Sequence, residues 1–138
     1  MEAVPGPTRV LLVGGTRLSE EIGSVLRKEE NVVIIEAAEG KKAVGILGSE
    51  KITVVFCEES LPDGNWWPIQ ESALDANDTP VVVCCIFPTA DFAAEVVHLG
   101  GYDILPRHTD ALEVIRVFKN ACYRQRVDRV PLRARAAG

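Results

Sequence analysis

Five short runs of apolar and β-branched residues punctuate this chain, and none of them alternates with polar residues. They are Arg9-Val10-Leu11-Leu12-Val13, Val32 to Ile35, Ile52 to Cys57, Val81 to Phe87, and Tyr102 to Leu105. A strand with one face in water alternates apolar and polar side chains, whereas a strand apolar throughout is covered on both faces. Five such strands therefore need helices on both sides of one sheet. The intervening segments supply them. Leu18, Ile22, Val25 and Leu26 recur at helical spacing after the Gly14-Gly15 turn, and Ala43, Val44 and Leu47 mark a short helix closed by Gly48. Thr89 to Leu99 is helical and stops at Gly100-Gly101. Asp110 with Glu113 forms a capping box ahead of a last helix whose apolar stripe reads Leu112, Ile115, Phe118 and Cys122. Residues 65–76 leave helix and loop both open, because Pro68 fits a helix only in its first turn.

Strand and helix repeated five times, with right-handed crossovers, give a doubly wound α/β fold around a five-stranded parallel sheet. In such folds the functional edge is the one where the strands reach their carboxyl ends. Here that edge holds Gly14-Gly15, Glu58-Glu59, Cys85-Ile86 and Pro106-Arg107.

A length of 138 residues predicts one domain, placed at 9–124, with an N-terminal extension at 1–8 and a basic helix end and linker at 125–138. Net charge is −5, unevenly spread. Residues 119–138 carry six cationic side chains against Asp128, a balance of +5, which leaves −10 for the rest. An acidic body argues against a nucleic-acid-binding domain, so nucleic acid enters only indirectly, through an effector domain. No apolar stretch reaches the roughly 18 residues of a membrane span, and the N-terminus lacks the basic and apolar regions of a signal peptide. The expected location is the cytoplasm. Cys57, Cys84, Cys85 and Cys122 form no Cys-x-x-Cys pair and have no histidine at metal spacing, so they read as reduced, mostly buried thiols.

Three segments together resemble the receiver domain of response regulators, the CheY-like family with the flavodoxin-like (βα)5 fold. They are Ser60-Leu61-Pro62-Asp63-Gly64 after the third strand, Glu36-Ala37-Ala38-Glu39-Gly40 after the second, and Gly100-Gly101-Tyr102-Asp103 before the fifth. The resemblance covers roughly residues 8–124. It implies a Mg²⁺ site made by two acids after the first strand, and an aspartate phosphoacceptor four residues before the Leu-Pro proline. It also implies a Thr or Ser ending the fourth strand and a Lys ending the fifth. This chain departs at each place. The acids fall on Gly14 and Gly15, the acceptor on Glu58 with Glu59 beside it, the hydroxyl on Cys85 and the lysine on Arg107. The proline that usually follows the lysine is His108, and the aromatic switch residue is Ile104.

Phosphoryl transfer needs a placed nucleophile, a metal and a cation on the phosphoryl oxygens. The substitutions imply a degenerate pseudo-receiver in two-component signalling: not an enzyme, with no metal and no cofactor, regulating by protein–protein contact. Its partner is another protein or an effector domain, with a homodimer as a further option. Glu58 is expected to pair with Arg107. The interaction surface is expected at Trp66 and Trp67, since adjacent tryptophans on a helix cannot both face one core, and at Phe92 and Val96 on the fourth helix.

Two other readings stay open. Val13-Gly14-Gly15-Thr16 places glycine amides before a helix, where a small ligand or nucleotide phosphate could sit, although Gly-x-Gly-x-x-Gly and P-loop spacings are both missing. Cys85 near Glu58 is a candidate redox thiol if Arg107 lowers its pKa. His98 and His108 have no third partner and read as surface or cap residues, and Asp63-Gly64 reads as turn chemistry.

Overall fold

The computed structural model describes residues 6–128. Residues 1–5 of the extension expected at 1–8, and residues 129–138 of the helix end and linker expected at 125–138, lie outside the described residues. Five strands, β1 (Thr8–Val13), β2 (Val32–Ala37), β3 (Val54–Glu58), β4 (Val81–Cys85) and β5 (Asp103–Pro106), form one parallel sheet in the order β2-β1-β3-β4-β5. The helix α1 is built from Thr16–Leu18, a π-type turn at Ser19–Gly23 and Ser24–Leu26. It is followed by α2 (Gly40–Ser49), α3 (Trp67–Asn77), α4 (Ala90–His98) and α5 (Ala111–Asp128). A short antiparallel hairpin pairs Ser60–Leu61 with Gly64–Asn65 between β3 and α3. The predicted α/β class and the five-stranded parallel sheet are as observed.

The two-residue period of a strand divides the core. On β1, Leu11 and Val13 pack with Ala43, Leu47, Ile69, Ala73 and Val96, beneath α2, α3 and α4. Val10 and Leu12 point the other way, to Leu18, Ile22 and Leu26 of α1 and Val114, Val117 and Phe118 of α5. Val54 to Cys57 in the central strand are fully buried, as double coverage requires.

Several expectations shift. β4 ends at Cys85, not Phe87: Ile86 and Phe87 leave the sheet and are 57% and 82% exposed. The buried stripe of α5 is Val114, Val117, Phe118 and Ala121, while Leu112 is 80% exposed. The helix is apolar on two overlapping stripes, and its entry angle chose between them. Asp110 sets that entry by accepting from the Glu113 backbone N–H at 3.0 Å. Glu113 does not complete the capping box, because its carboxylate binds Arg116 instead.

Trp66 and Val96 are corrected from surface to core. Trp66 is 5% exposed. It sits at the N-cap of α3 with helical backbone angles, φ −67° and ψ −20°, and both tryptophans pack, Trp66 in the core and Trp67 edge-on against it. Trp66 meets Trp67 edge-on at 5.8 Å between ring centroids and Phe92 at 6.4 Å. Trp67 and Phe92 are themselves half-buried against the core. Val96 is fully buried under the Gly100-Gly101 turn; a Cβ on Gly101 would lie 2.5 Å from its Cγ1 and 2.9 Å from its carbonyl oxygen.

Asp63 does more than shape a turn. Its carboxylate accepts from the backbone N–H of Gly40 at 2.8 Å and of Lys41 at 2.9 Å, capping α2 across the top of the sheet. The residue at the helix's own N-cap, Glu39, makes no side-chain cap bond. These two N–H donors hold the Asp63 carboxyl below its ordinary range. A depressed folded-state pKa adds stability above the unfolded value, about 3.9, and loses it as pH falls through the folded value. Asp63→Asn is therefore expected to lower the urea midpoint near neutral pH, with the gap to wild type narrowing below about pH 4. Equal gaps at both ends of a urea series against pH would show that Asp63 caps nothing.

Candidate functional site

The ends of β3, β4 and β5 and the start of α1 surround a cavity of about 390 Å³. Its floor is the exit of β3, where Glu58 and Glu59 follow four buried residues and are half-buried themselves. Cys84 and Cys85 form the wall on the β4 side, and Arg107 and His108 come from the end of β5. Glu59 and Arg107 are tied into the sheet edge by main-chain bonds, Glu59 N–H to the Cys84 carbonyl at 3.0 Å and Arg107 N–H to the Cys85 carbonyl at 2.9 Å.

Glu58 does not pair with Arg107. Both line the cavity, yet no ion pair within 4.0 Å joins them, and among the described residues the Glu58 carboxylate has no hydrogen-bond or ion-pair partner. Its side chain folds over Gly14 instead. A Cβ placed on Gly14 would stand 2.6 Å from Glu58 Cδ, 2.7 Å from Cγ and 2.9 Å from Oε2. Gly14 also has φ +154°, a conformation side chains rarely adopt. The glycine is thus the room in which the longer acid lies. Gly15, the N-cap of α1, is exposed, and nothing lies within 4 Å of where a Cβ on it would stand, so it makes no comparable contact.

Mg²⁺, which the resemblance to receivers implies, does not fit this donor set. The ion demands near-ideal octahedral oxygen coordination anchored by carboxylates. Gly14 and Gly15 offer no side-chain oxygen, and the space at Gly14 is taken by Glu58 itself. Among the described residues no group of three His, Cys, Asp or Glu is placed to hold a metal.

The cysteines are a poor redox centre. Burial, and then the charge of Glu59, push the Cys85 thiol up, and Cys57 and Cys84 are raised further, chiefly by burial. A reactive thiol needs the reverse, a lowered pKa and access. Ile104 is half-buried on β5, packed against the α2–α4 side of the core.

Sequence reasoning missed the contributions of α1 and of the β4–α4 loop to this site. Arg17 and Glu21 stand one helical turn apart on α1 and both line the cavity, Glu21 from within the π-type turn. That i, i+4 spacing just after the Gly14-Gly15 edge was the available signal. His108, at φ +62°, places Nδ1 3.4 Å from Glu21 Oε1 and so ties the β5 end to α1. Phe87 sits at the rim because β4 stops two residues early.

The Gly14–Glu58 contact predicts a specific coupling. Gly14→Ala is expected to destabilise by about 1–3 kcal/mol, from backbone strain and displacement of Glu58. Glu58→Ala in that background is expected to recover about 0.5 kcal/mol or more of it. Strict additivity in a double-mutant cycle read by chemical denaturation would show that the two positions are independent.

No family model and no curated protein matches the chain. Its likeness is to solved structures. The signal receiver domain of an HD domain-containing protein from Pseudomonas fluorescens Pf-5 superposes with TM-score 0.83 at 17% identity, covering 94% of this chain and 96% of that one. The signal receiver domain of a putative Luxo repressor protein from Vibrio parahaemolyticus gives 0.79 at 21%, covering 88% and 95%. NtrX from Brucella abortus, solved in complex with ADP, gives 0.79 at 17%, with 89% of this chain spanning 29% of that one. With five parallel strands in the order β2-β1-β3-β4-β5 and helices on both faces, the chain has the CheY-like fold of response-regulator receiver domains.

Proposed function

We propose that this chain is a receiver-fold signalling module that regulates a partner by contact, without taking a phosphoryl group and without catalysing a reaction. The observation that carries the reading is the Glu58 carboxylate lying over Gly14. The acceptor position and the metal position of the receiver pattern have changed together, and the second has become space for the first. Glu58 puts a fixed negative charge at the strand edge, in the region where an aspartyl phosphate would place its own. Arg107 and Cys85 line a pocket in which the residues that handle phosphate in the receiver pattern are replaced, and Ile104 stands nearby on β5 in place of the aromatic switch residue. Cys57, Cys84 and Cys85, buried thiols outside any disulfide, fit work in a reducing compartment such as the cytoplasm. Among the described residues no helix is long and apolar enough to cross a membrane.

The contact face falls on α4 and α5. With Trp66 and Val96 in the core, the exposed apolar residues there are Val97, Leu112 and Tyr123, at 57%, 80% and 69% exposure. Leu112 and Tyr123 are about three turns apart on α5 and so share a stripe. Beside them Arg124 lies over the Tyr102 ring at 5.3 Å. This is a surface for a protein partner, an effector domain or a second copy of the chain. NtrX, in which the matched region is 29% of the chain, illustrates a receiver fold within a larger protein.

Acetyl phosphate with Mg²⁺ tests the silent half of the reading by intact mass. Wild type and Glu58→Asp are both expected to keep their mass, because restoring the acceptor leaves Gly14 and Gly15 without ligands. A phosphoryl adduct on either protein overturns it. The contact half predicts that Leu112→Asp weakens self-association or partner capture while the circular dichroism stays native.

A further inference from the structure

We propose that the cavity at the strand edge binds a small organic cation with a flat apolar body, an aromatic amine in chemical class. The inference stands on the walls of the cavity and does not depend on how the chain contacts its partner.

The space is about 390 Å³, within the range of small-molecule sites and far more than a single ion needs. Its walls are of two kinds. Leu18, Ile22, Ile86, Phe87 and Pro106 give apolar surface, and the strand ends give charge. Phe87 is 82% exposed and Ile86 57% exposed, side by side on the rim. Exposed apolar residues at the mouth of a mixed cavity mark surface that a ligand would cover. Phe87 offers a ring face for stacking, and a ring face attracts a cation and repels an anion.

The charges decide the sign. Glu21 Oε1 lies 3.4 Å from His108 Nδ1. Glu58 and Glu59 form the half-buried floor, and among the described residues no ion pair reaches either. Two guanidiniums, Arg17 and Arg107, also line the cavity, so an aromatic anion is the competing ligand. Arg17 is exposed on the rim, where an ion pair is weak, and Arg107 is half-buried as the acids are, but three carboxylates, Glu21, Glu58 and Glu59, line the cavity against these two guanidiniums. Glu58 and Glu59 are adjacent in sequence, so one ammonium can reach both carboxylates. The acidic body, −10 over residues 1–118, adds a field that draws cations. An ammonium on Glu58 and Glu59, with its ring between Ile86 and Phe87, satisfies both kinds of wall.

Tryptamine and indole-3-acetate are the probes, with the same ring and opposite charge, titrated into ¹⁵N-labelled protein. Tryptamine is expected to shift the amides of Glu58, Glu59, Ile86 and Phe87 saturably, with a Kd of about a millimolar for a probe of this size. Indole-3-acetate is expected to bind at least several-fold more weakly. Phe87→Ala and Glu58→Gln are each expected to weaken tryptamine several-fold, and Phe87, being exposed, can be removed without disturbing the core. No saturable shift at the strand edge, equal or tighter binding of indole-3-acetate, or a Kd unchanged in both variants overturns the inference. A protein that binds neither probe and also takes no phosphoryl group loses this inference alone. One that binds tryptamine and gains a phosphoryl group loses the silent-receiver reading alone.

Discussion

Everything at the functional edge depends on where the burial of β3 stops. Val54 to Cys57 are closed off from water, and the next residue is a carboxylate. An ionised acid cannot follow the strand into the core, since an unpaired charge there is too costly. It needs open space at the sheet edge. In this chain the space comes from β1, whose parallel register sets Val13 beside Cys57 and so puts Gly14 level with Glu58. A side chain at position 14 would close it. The hydrogen-bonded register of two strands thus brings the acid and the glycine together before any ligand or partner is involved.

The same edge separates contacts that hold the fold from positions that set what the edge presents. Asp63 still binds the loop after β3 to the start of α2 through two backbone N–H groups. The Gly100-Gly101 turn still lets Val96 pack against backbone. Both serve the frame and are independent of phosphate. The positions that differ from the receiver pattern, Gly14, Gly15, Glu58, Cys85 and Arg107, lie at strand ends or just beyond, where a substitution changes what the edge presents and leaves the core layers as they are.

The fold was legible in the sequence because its signal is long and repeated. Five apolar runs and their intervening helices fix the class, and small errors at the ends leave it intact. The α4 and α5 faces were less legible. On α5 both Leu112 with Ile115 and Val114 with Val117 satisfy a helical stripe, and only the sheet chooses between them. Trp66 was misplaced because two adjacent tryptophans on a helix imply one exposed ring, whereas Trp66 is buried and Trp67 packs edge-on against it, half-buried. At the site, the sequence identified Glu58 and Arg107 as members of one edge but not their spacing. Charge complementarity suggested a pair, and the side-chain geometry instead takes Glu58 toward a residue with no charge at all. The absence of a side chain at Gly14 reads in a sequence as a lost ligand, and only coordinates reveal it as occupied room. Asp63 escaped for a related reason: caps are sought within a few residues of a helix start, and this one comes from 23 residues away.

The Glu58–Gly14 arrangement also bears on what one substitution can undo. An aspartate at 58 is a methylene shorter and withdraws its carboxylate from Gly14, leaving a gap without adding a metal ligand. An aspartate at 14 adds a ligand, but its Cβ collides with the Glu58 side chain and its backbone must tolerate φ +154°. Each single step toward a phosphorylatable edge therefore meets a structural cost before it gains chemistry. Only the combined change supplies acceptor and ligand together, and it still leaves Cys85 and Arg107 where a hydroxyl and a compact ammonium are needed. On the proposed reading, a carboxylate over Gly14 and an open amphipathic cavity stand at this edge where a receiver would make and lose a phosphate.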